Sequence, residues 1–199
     1  MKKYILTLAL GISSLAFSQD YSVPAASPRH KIEHQFSISK VSVDYGRPGV
    51  KGREIFGKLV PFNEVWRTGA NSSTKITFGQ EVSFGGKTVP AGTYALFIVP
   101  QAQSWKLILN KDSQQWGAYG YNDKLNVTDI DVPVQKLPQT MEWFTIELNP
   151  AKDDQLDMTV EWENSKVVVP IRVAKAEVTN KMIEKLKEAK KIEWDAGKK

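Results

Sequence analysis

Short runs of alternating apolar and polar residues, broken roughly every 8–12 positions by turn-forming residues, occupy the chain from Ile32 to Val173. Ile32, His34, Phe36 and Ile38 alternate on one face, and Val41, Val43 and Tyr45 resume the alternation after a slip at Ser39-Lys40. Successive side chains of a strand point to opposite faces, so a period of two marks a strand buried on one side. Further runs are Thr74–Phe78, Glu81–Phe84, Lys87–Val89, Thr93–Val99, Trp105–Leu109, Val127–Val134, Trp143–Leu148, Leu156–Trp162 and Lys166–Val173. Gly85-Gly86 reads as a two-residue hairpin turn. TYALFIV, residues 93–99, is the strongest apolar run. About ten short strands at this spacing predict an all-β chain: a single-domain β-sandwich, jelly-roll-like or barrel-like, over residues 32–175.

The ends differ from this body. Residues 1–18 combine Lys2-Lys3, an apolar run from Tyr4 to Leu15 and a small-x-small ending at Ala16-Phe17-Ser18. That is the layout of a cleavable signal peptide, with the cut between Ser18 and Gln19, and it implies a periplasmic or secreted protein. The apolar run is shorter than the ~20 residues a membrane crossing needs, and no later run is longer. Residues 19–31 are polar and proline-containing, an N-terminal arm. Residues 176–199 predict a basic amphipathic helix, capped by Thr179 or Asn180, with Met182, Ile183, Leu186, Ala189 and Ile192 at helical spacing.

Charge narrows the partners. The formal net charge is +5, but the signal peptide carries +2 and residues 179–199 carry +3. Residues 19–178 hold 18 basic and 18 acidic groups, so the folded body is neutral. A nucleic-acid binder needs a basic face on that body, and binding of this kind is not expected. The chain has no cysteine, which removes thiol nucleophiles, thiolate metal sites and disulfides together.

The polar residues with most chemical potential lie in two irregular stretches. Residues 45–71, YGRPGVKGREIFGKLVPFNEVWRTGAN, hold five glycines, two prolines and three arginines, and read as an ordered, sharply turning loop. Guanidinium forks bind anions bidentately, and glycine turns let backbone N–H groups approach them. Arg47, Arg53, Arg67 and Asn71 are therefore candidate ligand-binding residues. The competing role for the arginines is to satisfy the surplus carbonyls of a long irregular loop. The second stretch is NKDSQQWGAYGY, residues 110–121, where Asn110, Lys111, Gln115, Trp116 and Tyr119 offer amides and aromatic faces suited to a sugar or peptide. The same aromatics could instead plug one end of a sandwich.

Other chemistry is thinner. Glu142, Glu161 and Glu163 are acids beside tryptophans. On a strand, Glu161 and Glu163 would share a face opposite Trp162, and a pair of carboxyls ~5–9 Å apart would suit a glycosidase. Such acids more often line a solvent face. His30 and His34 lack further ligands for a metal site. No GxSxG elbow or phosphate-loop motif occurs, and no cofactor or metal is expected. The expected role is binding of a polar ligand, glycan or peptide. The alternatives are a structural or protein-interaction component of the cell envelope and a carboxylate-based hydrolase. Catalytic residues are not assignable.

SPRHK (27–31), VDYGRPGVKGREIFGKLVPFNEVWRTGAN (43–71), PAGTYALFIVP (90–100), NKDSQQWGAYGY (110–121), EWFTIEL (142–148) and VEWENSKVVVPI (160–171) together resemble the exported bacterial family catalogued as domain of unknown function 2911. The resemblance runs from about Ser27 to Ile171. It implies a secreted or periplasmic, β-rich protein without an assignable activity. The family-like polar positions are Arg29, Arg47, Arg53, Arg67, Asn71, Asn110, Lys111, Gln115 and Trp116, whereas His34 departs from the pattern.

Overall fold

The structure is a computed structural model that describes residues 23–152 and 154–197, so the expected signal peptide lies outside the described residues. In chain order the strands are β1 (Arg29–Phe36), β2 (Ser39–Gly46), β3 (Thr74–Phe78), β4 (Val82–Phe84), β5 (Lys87–Val89), β6 (Gly92–Pro100), β7 (Ser104–Asn110), β8 (Asn126–Pro133), β9 (Gln135–Lys152) and β10 (Gln155–Val173). They form two antiparallel sheets: six strands ordered β1-β2-β3-β6-β7-β8, and four ordered β5-β4-β10-β9. This is the expected all-β sandwich with one C-terminal helix, α1 (Ala176–Ala196).

Alternation decides which side chains fill the space between the sheets. Val41, Val43 and Tyr45 of β2, Ile76 and Phe78 of β3, and Trp105, Leu107 and Leu109 of β7 are buried in one cluster. Met158, Val160 and Ile171 of β10 meet them from the other sheet. β6 is continuous rather than alternating because it is covered on both sides. Leu96 and Ile98 face the core, while Ala95 and Phe97 join Ile108 in a second cluster on the outer face, beneath Val65, Ala118 and Tyr121. A strand covered on both faces needs apolar residues at every position.

The structure departs from the sequence expectations in three places. The candidates 156–162 and 166–173 are one long strand, β10, with register shifts around Glu163, whose φ is +54°. The buried positions change parity there, from Leu156, Met158, Val160 and Trp162 to Val167, Val169, Ile171 and Val173. A bulge lets one strand switch its inward set without breaking the sheet. Glu161 is buried as well as Trp162, so it does not lie on the open solvent face that such acids more often line. The helix begins at Ala176, the first residue of the expected range, but its cap is not Thr179 or Asn180: the N-cap is Lys175, which makes no side-chain cap bond, and Thr179 is buried inside the helix. By contrast, the Gly85-Gly86 turn has the two positive φ angles, 55° and 92°, that a tight hairpin of this type requires.

Tyr45 ties the two sheets together. Its hydroxyl donates to Ile146 O at 3.2 Å and accepts from Ile146 N–H at 3.0 Å. Burial holds its phenol pKa above the usual value near 10, against the opposing pull of the Ile146 hydrogen bond and of Arg47. Its folded-state pKa is thus above the unfolded one, so its contribution is complete below pH ~10 and is lost as pH rises further. Tyr45→Phe should cost about 1–2 kcal/mol at neutral pH, because it strands two buried backbone groups. The wild-type melting temperature should fall more steeply than the variant's above pH ~10. Parallel melting curves across that range would contradict this assignment.

Candidate functional site

The segment between β2 and β3 runs along the edge strand β9 of one sheet and along the half of β6 that β3 leaves unpaired in the other. It first lies beside β9, with Phe144 N–H donating to Pro48 O at 2.9 Å and Val50 N–H donating to Glu142 O at 2.7 Å. It then lies beside the far half of β6, where Trp66 exchanges both backbone bonds with Ile98 at 2.8 and 2.9 Å. β3 pairs with β6 only from Gly92 to Leu96, so Trp66 occupies the place β3 leaves open. The underside of the segment is apolar: Ile55, Phe56, Val60 and Trp66 are core residues. Trp66 stacks on Trp162 at 5.7 Å between ring centroids, with Phe56 and Phe144 edge-on to both. The exit then folds back on the entry, with Ala70 N–H donating to Gly46 O at 3.3 Å. Thr68 takes φ +57° there, a conformation that a β-branched residue rarely adopts. The Thr74 hydroxyl donates to its carbonyl and holds the turn.

Most of the candidate arginines fasten backbone. Arg29 donates to Asp44, to Ser72 O and to Ser73 O. Arg47 donates to Phe144 O at 3.2 Å and Thr145 Oγ1 at 3.0 Å. Arg53 donates through Nε to Val50 O at 3.0 Å and through Nη2 to Gly49 O at 2.6 Å. Arg67 is the exception: its Nε is buried and has no hydrogen-bond partner among the described residues. It lines a cavity of about 330 Å³ together with Arg53, Asn71 and Trp162. The Trp162 ring is 1% exposed, and its indole N–H is also buried without a partner. Leu59, Val60, Trp66 and Ala70 give the cavity apolar walls, and Ser27 of the arm closes one side. Three of the candidate residues, Arg53, Arg67 and Asn71, thus share one site. Arg47 faces a different groove, which it shares with His30, His34 and Tyr45.

The second stretch adjoins the first without entering this cavity. Ser73 N–H and Oγ both donate to Gln115 O, at 3.3 and 3.1 Å, and Ser72 bridges Trp116. Asn110 is buried and structural: its amide donates to Asn122 O and Asn126 Oδ1, and its Oδ1 accepts from Asp112 N–H. Gln115 donates to Asp112 O at 3.0 Å. Lys111 is exposed, and Trp116 and Tyr119 are 65% and 94% exposed. Both rings are open to solvent rather than forming a plug, and Trp116 is bridged to Ser72, the residue after Asn71. The plugging aromatic is Tyr121, packed on Phe97 at 5.1 Å.

The family model described as "Protein of unknown function (DUF2911)" matches residues 27–171. The chain belongs to that family. The match takes in the whole arginine segment, the second stretch and Trp162, and ends before α1. No curated protein and no solved structure gives a match.

In this DUF2911 domain the three acids beside tryptophans are engaged elsewhere. Glu142 Oε1 accepts from Lys51 N–H at 2.9 Å, and Glu163 Oε1 accepts from Ile55 N–H at 3.0 Å. Glu161 pairs with Lys166 at 2.7 Å. Glu142 and Glu163 therefore brace the arginine segment, and no carboxylate among the described residues lines the Arg67 cavity. Trp162 is the cavity residue that sequence reasoning missed. It reads as an ordinary core position of a strand, and its alternation with Met158 and Val160 gives no sign that it meets a loop about a hundred residues earlier in the chain.

Proposed function

We propose that this DUF2911 domain is an exported binding protein that receives a polar group of a glycan or peptide at the Arg67 cavity, with binding rather than catalysis as its role. One observation carries the reading. Arg67 stands on a braced segment, lacks a protein partner among the described residues, and has a buried Nε. A desolvated donor without a partner costs about 1–3 kcal/mol, a deficit that a ligand acceptor removes. The exposed Trp116, bridged to Ser72 next to Asn71, supplies an aromatic face over which the rest of the ligand can extend. Export is supported by residues 1–18, with their basic start, apolar run and small-x-small end.

The test is retention of the mature protein, whose first residue on this reading is Gln19, on immobilised cell-envelope glycans and peptides. Arg67→Ala should abolish retention and Trp116→Ala should weaken it, with both variants melting within a few degrees of wild type. Unchanged retention in both variants would remove the Arg67 site. A second reading, a protein-interaction role in the envelope, draws on Val178, Met182 and Leu186, exposed together along one side of α1. On that reading the mature protein is retained on neither glycans nor peptides, and when it is itself immobilised it captures envelope proteins through α1.

A further inference from the structure

Donors dominate the hydrogen-bonding character of the Arg67 cavity, with Ser27 and the Asn71 amide as the lining side chains that can also accept. A guanidinium and an indole N–H donate and cannot accept. Of the five buried side-chain atoms without partners among the described residues, the two that belong to residues of this lining, Arg67 Nε and Trp162 Nε1, are both of this kind. Arg53 adds a second guanidinium, which has spent Nε and Nη2 on backbone carbonyls and keeps Nη1. Neither arginine forms an ion pair among the described residues, and the cavity lining contains no Asp or Glu. Glu142 and Glu163, the acids bonded to this segment, accept from its backbone N–H groups and form no ion pair with either arginine among the described residues. Two positively charged side chains therefore line a small cavity to which the described residues contribute no counter-charge.

Resting on the binding reading above, we infer that the group received by Arg67 is an anion, specifically a carboxylate carried on a short carbon skeleton. An anionic acceptor gains a charge-assisted bond from Arg67, and its planar pair of oxygens matches the guanidinium fork. A neutral hydroxyl satisfies one donor and leaves the charge uncompensated. The apolar walls at Leu59, Val60 and Trp66 favour an anion attached to carbon over a fully hydrated inorganic ion. A volume of about 330 Å³ is at the small end of ligand sites, enough for one residue or one sugar ring but not for a polymer. Two sources share this chemistry: the C-terminal carboxylate of a peptide and the carboxylate of a uronic acid.

The experiment follows the tryptophan indole N–H signals of the mature protein by NMR, with Trp162→Phe identifying the Trp162 signal. The probes are a tripeptide with a free C-terminus, the same tripeptide as its amide, glucuronate, glucose, sodium phosphate and sodium sulfate. The free tripeptide or glucuronate should shift the Trp162 signal saturably, and the neutral partner of the active probe should bind at least ~10-fold more weakly. Arg67→Gln should abolish the shift. Arg67→Lys, which keeps the charge and loses the fork, should retain part of it, and added salt should weaken binding to the wild type. Whichever carboxylate binds identifies the source. Equal binding of the amide or glucose would overturn the anion while leaving the binding reading intact. Phosphate or sulfate binding without the carboxylates would overturn the carboxylate. No shift with any probe at tens of millimolar would overturn the inference whatever the retention experiment shows.

Discussion

Gly46→Ala should be the most damaging single-methyl change in the segment, lowering stability by about 3 kcal/mol or more. Gly46 ends β2, and the chain returns to it 24 residues later at Ala70. An ideal Cβ on Gly46 would lie 2.1 Å from Ala70 O and 2.9 Å from Ala70 C, both backbone atoms. The obstruction is mutual, since a Cβ on Gly69 would lie 2.6 Å from Gly46 O. Neither side can yield by rotating a side chain. Moving the exit would break the Ala70–Gly46 bond and displace Thr68, already at positive φ, together with Arg67. In a chain of this size the loss corresponds to roughly 6–12 °C in melting temperature. Gly52→Ala is the control: its φ is +70°, but nothing lies within 4 Å of the added carbon. It should cost only the backbone strain, about 1 kcal/mol. Equal melting temperatures for the two variants would show that entry and exit are not in this contact.

The strands were legible because each rests on a local period. β2 needs only Val41, Val43 and Tyr45 at alternate positions, and β6 announces its double burial by the unbroken run from Tyr94 to Val99. The long strand β10 was not legible as one element, because its bulge at Glu163 is a backbone conformation without a residue signature. The arginine segment could be recognised as ordered, but the sequence could not sort its arginines. Arg47 finds its partners at Phe144 and Thr145, and Ile55 N–H meets Glu163 more than a hundred residues away. Which guanidinium remains free depends on all of these distant pairings at once. Asn110 and Trp116 illustrate the same limit in the second stretch. Both are polar or aromatic loop residues in sequence, yet one is buried scaffolding and the other is exposed surface.

Trp66→Ala should cost about 3–5 kcal/mol, the range for removing a large buried aromatic. Its backbone bonds to Ile98 survive the substitution, so the loss is one of packing and of one indole bond. The indole N–H donates to Gly69 O at 3.1 Å, and the ring contacts Phe56, Phe144 and Trp162 at centroid distances of 6.0, 5.1 and 5.7 Å. These four rings join the irregular segment to β9 and β10, which makes Trp66 the main apolar anchor beneath Arg67. Urea unfolding should show a lower midpoint. Trp66→Phe should recover part of the loss by keeping one ring against Trp162, and Trp116→Ala should stay within about 0.5 kcal/mol of wild type. A Trp66→Ala loss below about 1 kcal/mol would mean that the aromatic cluster does not hold the segment. The same anchor bears on the ligand site, because Trp66 and Trp162 are both walls of the Arg67 cavity. Keeping two donors buried without partners requires rigid surroundings, since a mobile loop would turn them toward water or a carbonyl. Trp66→Ala should therefore weaken ligand retention even at temperatures where the variant remains folded, whereas Trp66→Phe should largely preserve it.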